Sequence, residues 1–457
     1  MQDLLAQKMS LSQHEAAITD KRVAILGLGF IGLPIATTWA DVGFTVTGID
    51  TNPHVLTMLG SGKAHFEEPG LQMYIDRHLQ KRFFVTDTLD PGAHDVYIIA
   101  VGTPVDPSTR RPILDYVRDA AVTIGRCLKQ GDLVIMRSTM PVGATRSIVL
   151  PALEEESGMK AGDDFHLVFA PERLVAGRAM EELRTLPQII GGYRGAKDVE
   201  LASKLFKRMT KIIIEVESIE AAEMSKIIDN SYRDLTFAYA NQMALLCERV
   251  GIDMVKLAEA VNFGYTRNHV PAPSPGVGGT CLAKDPYMLI DVGVRYGYVP
   301  VLAQAARAIN ESMPPHVVQK MIELLRKAGK DPKHSKVFVL GFAFKGKPET
   351  SDTRDSPTLT VVAGLKKAGI ALLGYDPVVP KEKIESFGVT FRELAEGFTE
   401  SDGILLMTNH RTFETMDILQ LLPTMKLPGV FLDGWHLFDP LEIKKIPGIF
   451  YGGIGND

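Results

Sequence analysis

The stretch SPGVGGTCLAKDPYML, residues 274–289, places Cys281 behind a glycine pair and ahead of Lys284 and Asp285. A cysteine in this setting is a packed filler, a surface residue without a role, or a nucleophile, and only the last needs positive charge nearby to depress the thiol pKa. Upstream, Lys226 and Asn230 stand four residues apart in a segment free of glycine and proline. In a helix they project from one side, and Asn241, three turns on, returns to it. That stripe is either a solvated face or a wall against a polar ligand. Glu172 and Arg173 follow the apolar run FHLVF, and Ser138 and Thr139 follow DLVIM. Glu172 reads either as a loop acid in solvent or as a group with acid/base work. Cys127, on an apolar helical stripe, and Cys247, late in the long helical segment, read as buried structural thiols. No metal is expected.

The element that positions the first of these groups is a dinucleotide turn. KRVAILGLGFIGLPIATTWADVGFTVTGID reads as strand, tight turn, helix, strand, with Gly27, Gly29 and Gly32 in G-x-G-x-x-G spacing. The glycines serve a tight turn, a close backbone approach to a pyrophosphate, and close packing of helix on strand. The helix N-terminus offers its N–H groups and positive dipole end to phosphate. Asp50 ends the next strand; a carboxylate there accepts from the ribose hydroxyls and repels a 2′-phosphate, so NAD is expected over NADP. Further strand ends deliver Gly102, Thr103 and Pro104, then Ser138 and Thr139, then Glu172 and Arg173. In an open parallel sheet these loops lie where ligands sit. PQIIGG and TKIIIEV read as its last strands, closing this domain near residue 216.

Ile219 to Val250 reads as one helix of roughly 30 residues, ~45 Å long, whose apolar faces suit dimerisation. Beyond it a second α/β set follows: strand at Ser335–Gly341, helix TLTVVAGLKKAG, and strands in IALLGYDP, DGILLMTNH and GVFLDGW. Its first turn has no G-x-G-x-x-G, and Lys345 stands there as a cation for a second phosphate-bearing ligand. The expected fold class is therefore α/β, two Rossmann-like domains joined by a long central helix and a helical dimerisation region. The expected division is a tail over 1–20, an NAD-binding domain over 21–216, a central helical domain over 217–315 and a nucleotide-sugar domain over 316–457, with a cleft between the two sets of strand ends.

Composition agrees. The 457-residue chain is 45% hydrophobic and 23% charged with net charge −5, values of a globular protein with no bias toward nucleic acid or an anionic membrane. No apolar run approaches the ~18 residues of a membrane-spanning helix. Three widely spaced cysteines fit a reducing, cytoplasmic setting rather than a disulfide scaffold.

From Lys21 onward these parts, in this order, resemble the UDP-glucose/GDP-mannose dehydrogenase family. The matching segments are Gly27-Leu28-Gly29-Phe30-Ile31-Gly32, Ser138-Thr139-Met140-Pro141-Val142-Gly143, Pro171-Glu172-Arg173, Glu223 through Lys226 to Asn230, GVGGTCLAKD, GFAFKG, and Asp352-Thr353-Arg354-Asp355-Ser356-Pro357. The resemblance implies two successive NAD-dependent oxidations that take C6 of a nucleotide-activated sugar from alcohol to carboxylate, in a polysaccharide or glycoconjugate precursor route. It implies that Cys281 attacks the C6 aldehyde to give a thiohemiacetal, which loses hydride to become a thioester that water hydrolyses. Lys226 would face the oxyanion, with Asn230 sharing that role. Asp285 and Thr139 would orient or activate water, and Glu172 would be the acid/base group. Phe30, Ile31, Lys284 and Arg354 join the glycine turn, Asp50, Gly102, Thr103, Pro104, Ser138 and Thr139 at the cofactor, with Lys284 or Lys226 also supplying positive field to Cys281. Arg173, Gly276, Gly278, Phe344 and Lys345 would contact the nucleotide sugar, with Glu172, Lys226 and Asn230. Arg267 would reach the substrate of a neighbouring subunit in a homodimer or higher oligomer.

Departures narrow the substrate. The UDP-glucose branch carries PEFL followed by a second glutamate, whereas this chain reads PERLVAG with Ala176 in that place. PER and GVGG are closer to the branch acting on UDP-N-acetylhexosamines, and UDP-ManNAc, UDP-GlcNAc or UDP-GalNAc is the expected substrate. Thr280 and Lys284 depart from that branch too, and LDGWHLFD sets Trp435 where relatives carry an arginine, with His436 the candidate replacement cation. UDP-glucose and GDP-mannose are the alternative substrates. Two rivals lie outside this activity. A 6-phosphogluconate or 3-hydroxyacid type of dehydrogenase would not use the Cys281 motif or the third domain. A non-catalytic nucleotide-sugar sensor would have no use for Cys281, Lys226, Asp285 and Glu172.

Overall fold

A computed structural model describes residues 19–456. The chain divides into two compact units: one runs to Asp229 and takes in Tyr287–Tyr298, the other comprises Asn230–Pro286 and the chain from Val299 onward.

The first unit is built on eight strands: β1 (Arg22–Leu26), β2 (Thr45–Ile49), β3 (Phe83–Thr86), β4 (Val96–Ile99), β5 (Leu133–Met136), β6 (His166–Phe169), β7 (Gln188–Gly192) and β8 (Ile213–Val216). Their order is β3-β2-β1-β4-β5-β6-β7-β8, parallel throughout except between β6 and β7. The central strands VYII and LVIM are buried at every position, which is why they read as unbroken apolar runs rather than alternating ones. Trp39, Phe44 and Phe206 pack one face of this sheet, and Tyr97, Phe165 and Phe169 the other.

The second unit carries β9 (Lys336–Leu340), β10 (Ala371–Tyr375), β11 (Thr390–Phe391), β12 (Gly403–Leu406), β13 (Gly429–Asp433) and β14 (Ile449–Gly453). Their order is β11-β10-β9-β12-β13-β14, all parallel. Both sheets reverse strand order beside their first strand, at β1/β4 and at β9/β12, the switch point where ligands of such sheets sit. The two units share one local device. Asp50, just after β2, accepts from Leu28 N at 2.8 Å. Asp376, just after β10, accepts from Phe342 N at 2.6 Å and Ala343 N at 3.0 Å. In each case a carboxylate at the end of the second strand holds the turn that leaves the first.

A single 32-residue helix, Ile219–Val250, begins in the first unit and continues into the second. The helix Val301–Lys327 lies on the second unit's sheet, its Met313, Val317, Met321 and Leu325 buried with Val337 and Val339 of β9. Among the described residues no helix is long and apolar enough to cross a membrane. The sequence reading missed β3, β11 and β14. These are edge strands of their sheets, and β3 and β11 are only 4 and 2 residues long. The tail expected over residues 1–20 falls mostly outside the described residues.

Candidate active site

In the first unit the glycine turn is shaped by what a side chain would strike. A Cβ on Gly27, whose φ is +92°, would lie 2.8 Å from Ala100 O, and one on Gly32 would lie 1.8 Å from Gly27 O, whereas one on Gly29 would meet nothing within 4 Å. Gly27 and Gly32 thus answer to the protein, and Gly29 leaves open the space a pyrophosphate needs. The helix Gly32–Asp41 has no side-chain cap at its N-terminus, so it suits a phosphate. Asp50 accepts one backbone N–H on each oxygen, from Leu28 at 2.8 Å and Asn52 at 2.9 Å, which fixes a carboxylate with lone pairs to spare for ribose hydroxyls. Phe30, after Gly29, stacks on Phe66 with ring centroids 4.2 Å apart, and Ile31 is the N-cap residue. Gly102 and Pro104 are exposed around a buried Thr103. Ser138 is buried, its hydroxyl donating to Val101 O at 2.7 Å, and Thr139 beside it is half-buried. These residues fit a dinucleotide, which when bound supplies a nicotinamide ring that accepts hydride.

Two acids shape the rest of this unit's site. Glu223, 1% exposed, accepts from Gly143 N at 2.5 Å and Thr145 N at 2.9 Å. It ties the loop after Thr139 to the long helix one turn before Lys226. Burial pushes its carboxyl up to about 7 against hydrogen bonds from Thr145 and Gly143. Glu172, also buried, accepts from Leu174 N on one oxygen, while the other lies 3.8 Å from Lys226 Nζ; both side chains are nearly solvent-free. Burial therefore excludes the solvated-acid reading of Glu172 and pairs it with the lysine of the stripe. Next to Glu172, Arg173 Nη2 donates to Pro187 O at 2.7 Å, and Nη1 lies 3.7 Å from Asp229. Sequence reasoning missed Arg137. Its guanidinium is buried, held by Ala170 O at 3.1 Å and Gln188 Oε1 at 2.6 Å over the Phe206 ring, and burial pulls its pKa down to about 10. The signal was a charge closing an otherwise apolar strand, directly before Ser138.

In the second unit, Asn230 Nδ2 donates to Asp285 Oδ2 at 2.5 Å, and Lys284 Nζ to Asp285 Oδ1 at 2.7 Å. Asp285 is fully buried. Its N–H and that of Lys284 reach back to Cys281 O at 2.9 Å and 3.3 Å, so Cys281 occupies the turn that enters the helix Asp285–Arg295. Cys281 is exposed, whereas Cys127 and Cys247 are buried. The Lys284 ammonium is compensated by Asp285, which weakens the field it can offer the thiol.

The glycines before Cys281 are also required by the protein's own packing. A Cβ on Gly278 would lie 2.5 Å from Pro357 Cδ and 2.7 Å from Asp355 O, and one on Gly279, at φ +85°, would lie 2.7 Å from the Phe344 ring. They let the Cys281 loop close on the GFAFKG and DTRDSP loops. Phe344 is half-buried, with Lys345 Nζ 5.5 Å from its ring centre. Arg354 pairs with Asp352, Nη2 to Oδ2 at 2.7 Å. Arg267 is exposed over Tyr265. Asn241 is buried and faces inward. It donates to Asn310 Oδ1 at 3.0 Å and accepts from Ser274 N at 2.9 Å, anchoring the start of the Cys281 loop rather than a ligand. His436 is no replacement cation at neutral pH, because burial pushes its imidazole down to about 4. Trp435 Nε1 donates to Met407 O at 2.7 Å.

The dinucleotide turn and its Asp50 carboxylate, on an eight-stranded α/β sheet, mark the class as a dinucleotide-dependent dehydrogenase. The chain belongs to the UDP-glucose/GDP-mannose dehydrogenase family, matching its NAD binding domain over residues 21–210, its central domain over 220–312 and its UDP binding domain over 338–440. It is thus an NAD-dependent nucleotide-sugar dehydrogenase. A UDP-N-acetyl-D-mannosamine dehydrogenase of Pyrococcus horikoshii is 35% identical over 95% of this chain and 99% of its own. A solved UDP-D-ManNAc dehydrogenase from that organism has a TM-score of 0.86 at 33% identity, covering 95% of this chain and 99% of that one. A UDP-glucose dehydrogenase structure from Pyrobaculum islandicum has a TM-score of 0.83 at 28% identity, covering 96% and 98%. An NDP-N-acetyl-D-galactosaminuronic acid dehydrogenase structure from Methanosarcina mazei has a TM-score of 0.79 at 29% identity, covering 97% and 98%.

Proposed function

We propose that this chain oxidises C6 of a UDP-N-acetylhexosamine twice, from alcohol through aldehyde to uronate, with Cys281 as the covalent nucleophile. The observation that carries this reading is the exposure of Cys281 alone among the three cysteines, at the turn bonded to Asp285. Cys281 Sγ attacks the C6 aldehyde, and the alkoxide takes a proton to give a thiohemiacetal. Loss of its C6 hydride and hydroxyl proton leaves a thioester. Water then adds with Glu172 as base, and the thiolate departs. Lys226 compensates the oxyanion and Asn230 donates beside it, with Thr139 and Asp285 as supporting polar groups. Gly29, Asp50 and the Ser138 loop, with Lys284 and Arg354, hold the cofactor; Phe344, Lys345, Arg173, Arg267 and the Gly276–Gly278 stretch serve the nucleotide sugar.

The N-acetylhexosamine assignment is supported by PERLVAG, with Ala176 where the glucose branch has a second glutamate, and by the names of the relatives from Pyrococcus and Methanosarcina. Domains over 21–216, 217–315 and 316–457 divide the NAD, dimerisation and nucleotide-sugar roles. A homodimer is supported by the large apolar side chains left exposed on the helix Ile219–Val250, Tyr232, Tyr239 and Leu246 among them, and by Phe263 at 91% exposure. A cytoplasmic setting suits three cysteines in no disulfide. The test is NADH release from purified enzyme against UDP-glucose, UDP-GlcNAc, UDP-GalNAc, UDP-ManNAc and GDP-mannose. Two NADH per sugar on an N-acetylhexosamine is expected; one NADH per sugar, or preference for UDP-glucose or GDP-mannose, overturns the reading.

A further inference from the structure

We propose that Glu68 is a positioning residue for the loop that carries Glu172, a role that rests on the reading of Glu172 as the acid/base group. Residues 171–178 have no regular secondary structure between β6 and the helix Ala179–Thr185. Such a segment holds a catalytic carboxylate in place only if its backbone is fixed from outside. Here the fixing is done by acids. Leu174 N–H donates to Glu172 itself, Val175 N–H to Glu182 Oε2 at 2.7 Å, Gly177 N–H to Glu68 Oε2 at 2.7 Å, and Ala179 N–H to Glu68 Oε1 at 2.7 Å.

Glu68 is the remote member of this set, from the segment ahead of the helix Leu71–His78. Its side chain is buried, with 8% of the residue exposed. A buried carboxylate is tolerated when its oxygens are taken by charge-assisted hydrogen bonds, and each Glu68 oxygen takes one N–H from the far end of the Glu172 loop. Between those two donors the chain turns through Gly177 at φ +90°. With Glu172 held at one end and Gly177 and Ala179 at the other, the path between them is closed. That path sets how Glu172 presents its second oxygen to Lys226.

The experiment uses the full-length enzyme with Glu68→Gln and Glu68→Ala, measured beside Glu172→Gln. Glutamine keeps the volume but offers one carbonyl oxygen, so one of the two N–H donors faces an amide NH2 instead. Expected for Glu68→Gln is a folded enzyme with a lowered melting temperature, an unchanged KM for NAD, a kcat lower by roughly 10-fold, and a displaced pH–rate limb for thioester hydrolysis, with a larger kcat loss in Glu68→Ala, on the order of 100-fold. A role confined to stability would move the melting temperature and leave kcat and the limb in place. An unchanged kcat and limb in folded Glu68→Gln, while Glu172→Gln is inactive, overturns the positioning role alone. Full turnover in Glu172→Gln overturns the acid/base reading and the positioning role with it.

Discussion

Asn230 Nδ2 and Asp285 Oδ2 are 2.5 Å apart, and both side chains are buried. Because a carboxylate only accepts, this contact fixes which end of the Asn230 amide is nitrogen. The other Asp285 oxygen is taken by Lys284 Nζ at 2.7 Å. A carboxylate so placed orients its neighbours better than it deprotonates water. Asp285→Asn is therefore expected to lower kcat by about 10- to 100-fold, as losses of supporting hydrogen bonds do, and to leave the pH–rate limb of hydrolysis where it was. Loss of that limb would make Asp285 the base.

Cys281→Ser separates the two oxidations. A serine hydroxyl lacks the thiolate that attacks aldehyde at neutral pH, but the alcohol-to-aldehyde step needs no nucleophile. Expected are NAD binding and melting behaviour as in the parent, one NADH released slowly per sugar, and no uronate. Uronate formation at near-parental rate would remove Cys281 from the reaction.

The glycines divide into those the protein needs and those a ligand needs. Gly279→Ala would set a Cβ 2.7 Å from the Phe344 ring at φ +85°. A left-handed non-glycine residue alone costs about 1–2 kcal/mol, so a lower melting temperature is expected. Gly29→Ala meets nothing within 4 Å, so the melting temperature should hold while KM for NAD rises by roughly 10-fold or more. Equal effects of the two substitutions on melting would refute this division.

What could be read from the chain alone follows from the range of the interactions. The G-x-G-x-x-G turn, Asp50 and the 32-residue helix are local patterns, and sequence spacing captured them. Whether a polar residue faces a ligand or a neighbour is decided by distant partners. Asn241 shares its helical stripe with Lys226 and Asn230, yet Ser274 and Asn310 take it up. That Gly278 and Gly279 must also clear Pro357 and Phe344, more than 60 residues on, is invisible in their own segment. His436 looked like a cation because exposure is invisible in sequence, and burial leaves it neutral near pH 7. Arg137 went unnoticed because nothing near it in sequence marks the carbonyls that hold it.

The last prediction concerns pH. Glu223 has an ordinary value of 4.5, and burial raises it to about 7 in the folded chain. The folded state then holds a proton that the unfolded state releases across that interval, so the stability Glu223 contributes is full below about 4.5 and declines as pH rises toward 7, with little further change above. At ~1.4 kcal/mol per pH unit the full span is worth at most about 3 kcal/mol. Glu223→Gln removes this ionisation while keeping one acceptor for Gly143 or Thr145. The parent should lose more melting temperature than Glu223→Gln between pH 5 and pH 8, read by thermal denaturation at matched ionic strength. Parallel pH profiles for the two proteins would show that Glu223 ionises at its ordinary value and that the loop after Thr139 is held by a carboxylate throughout.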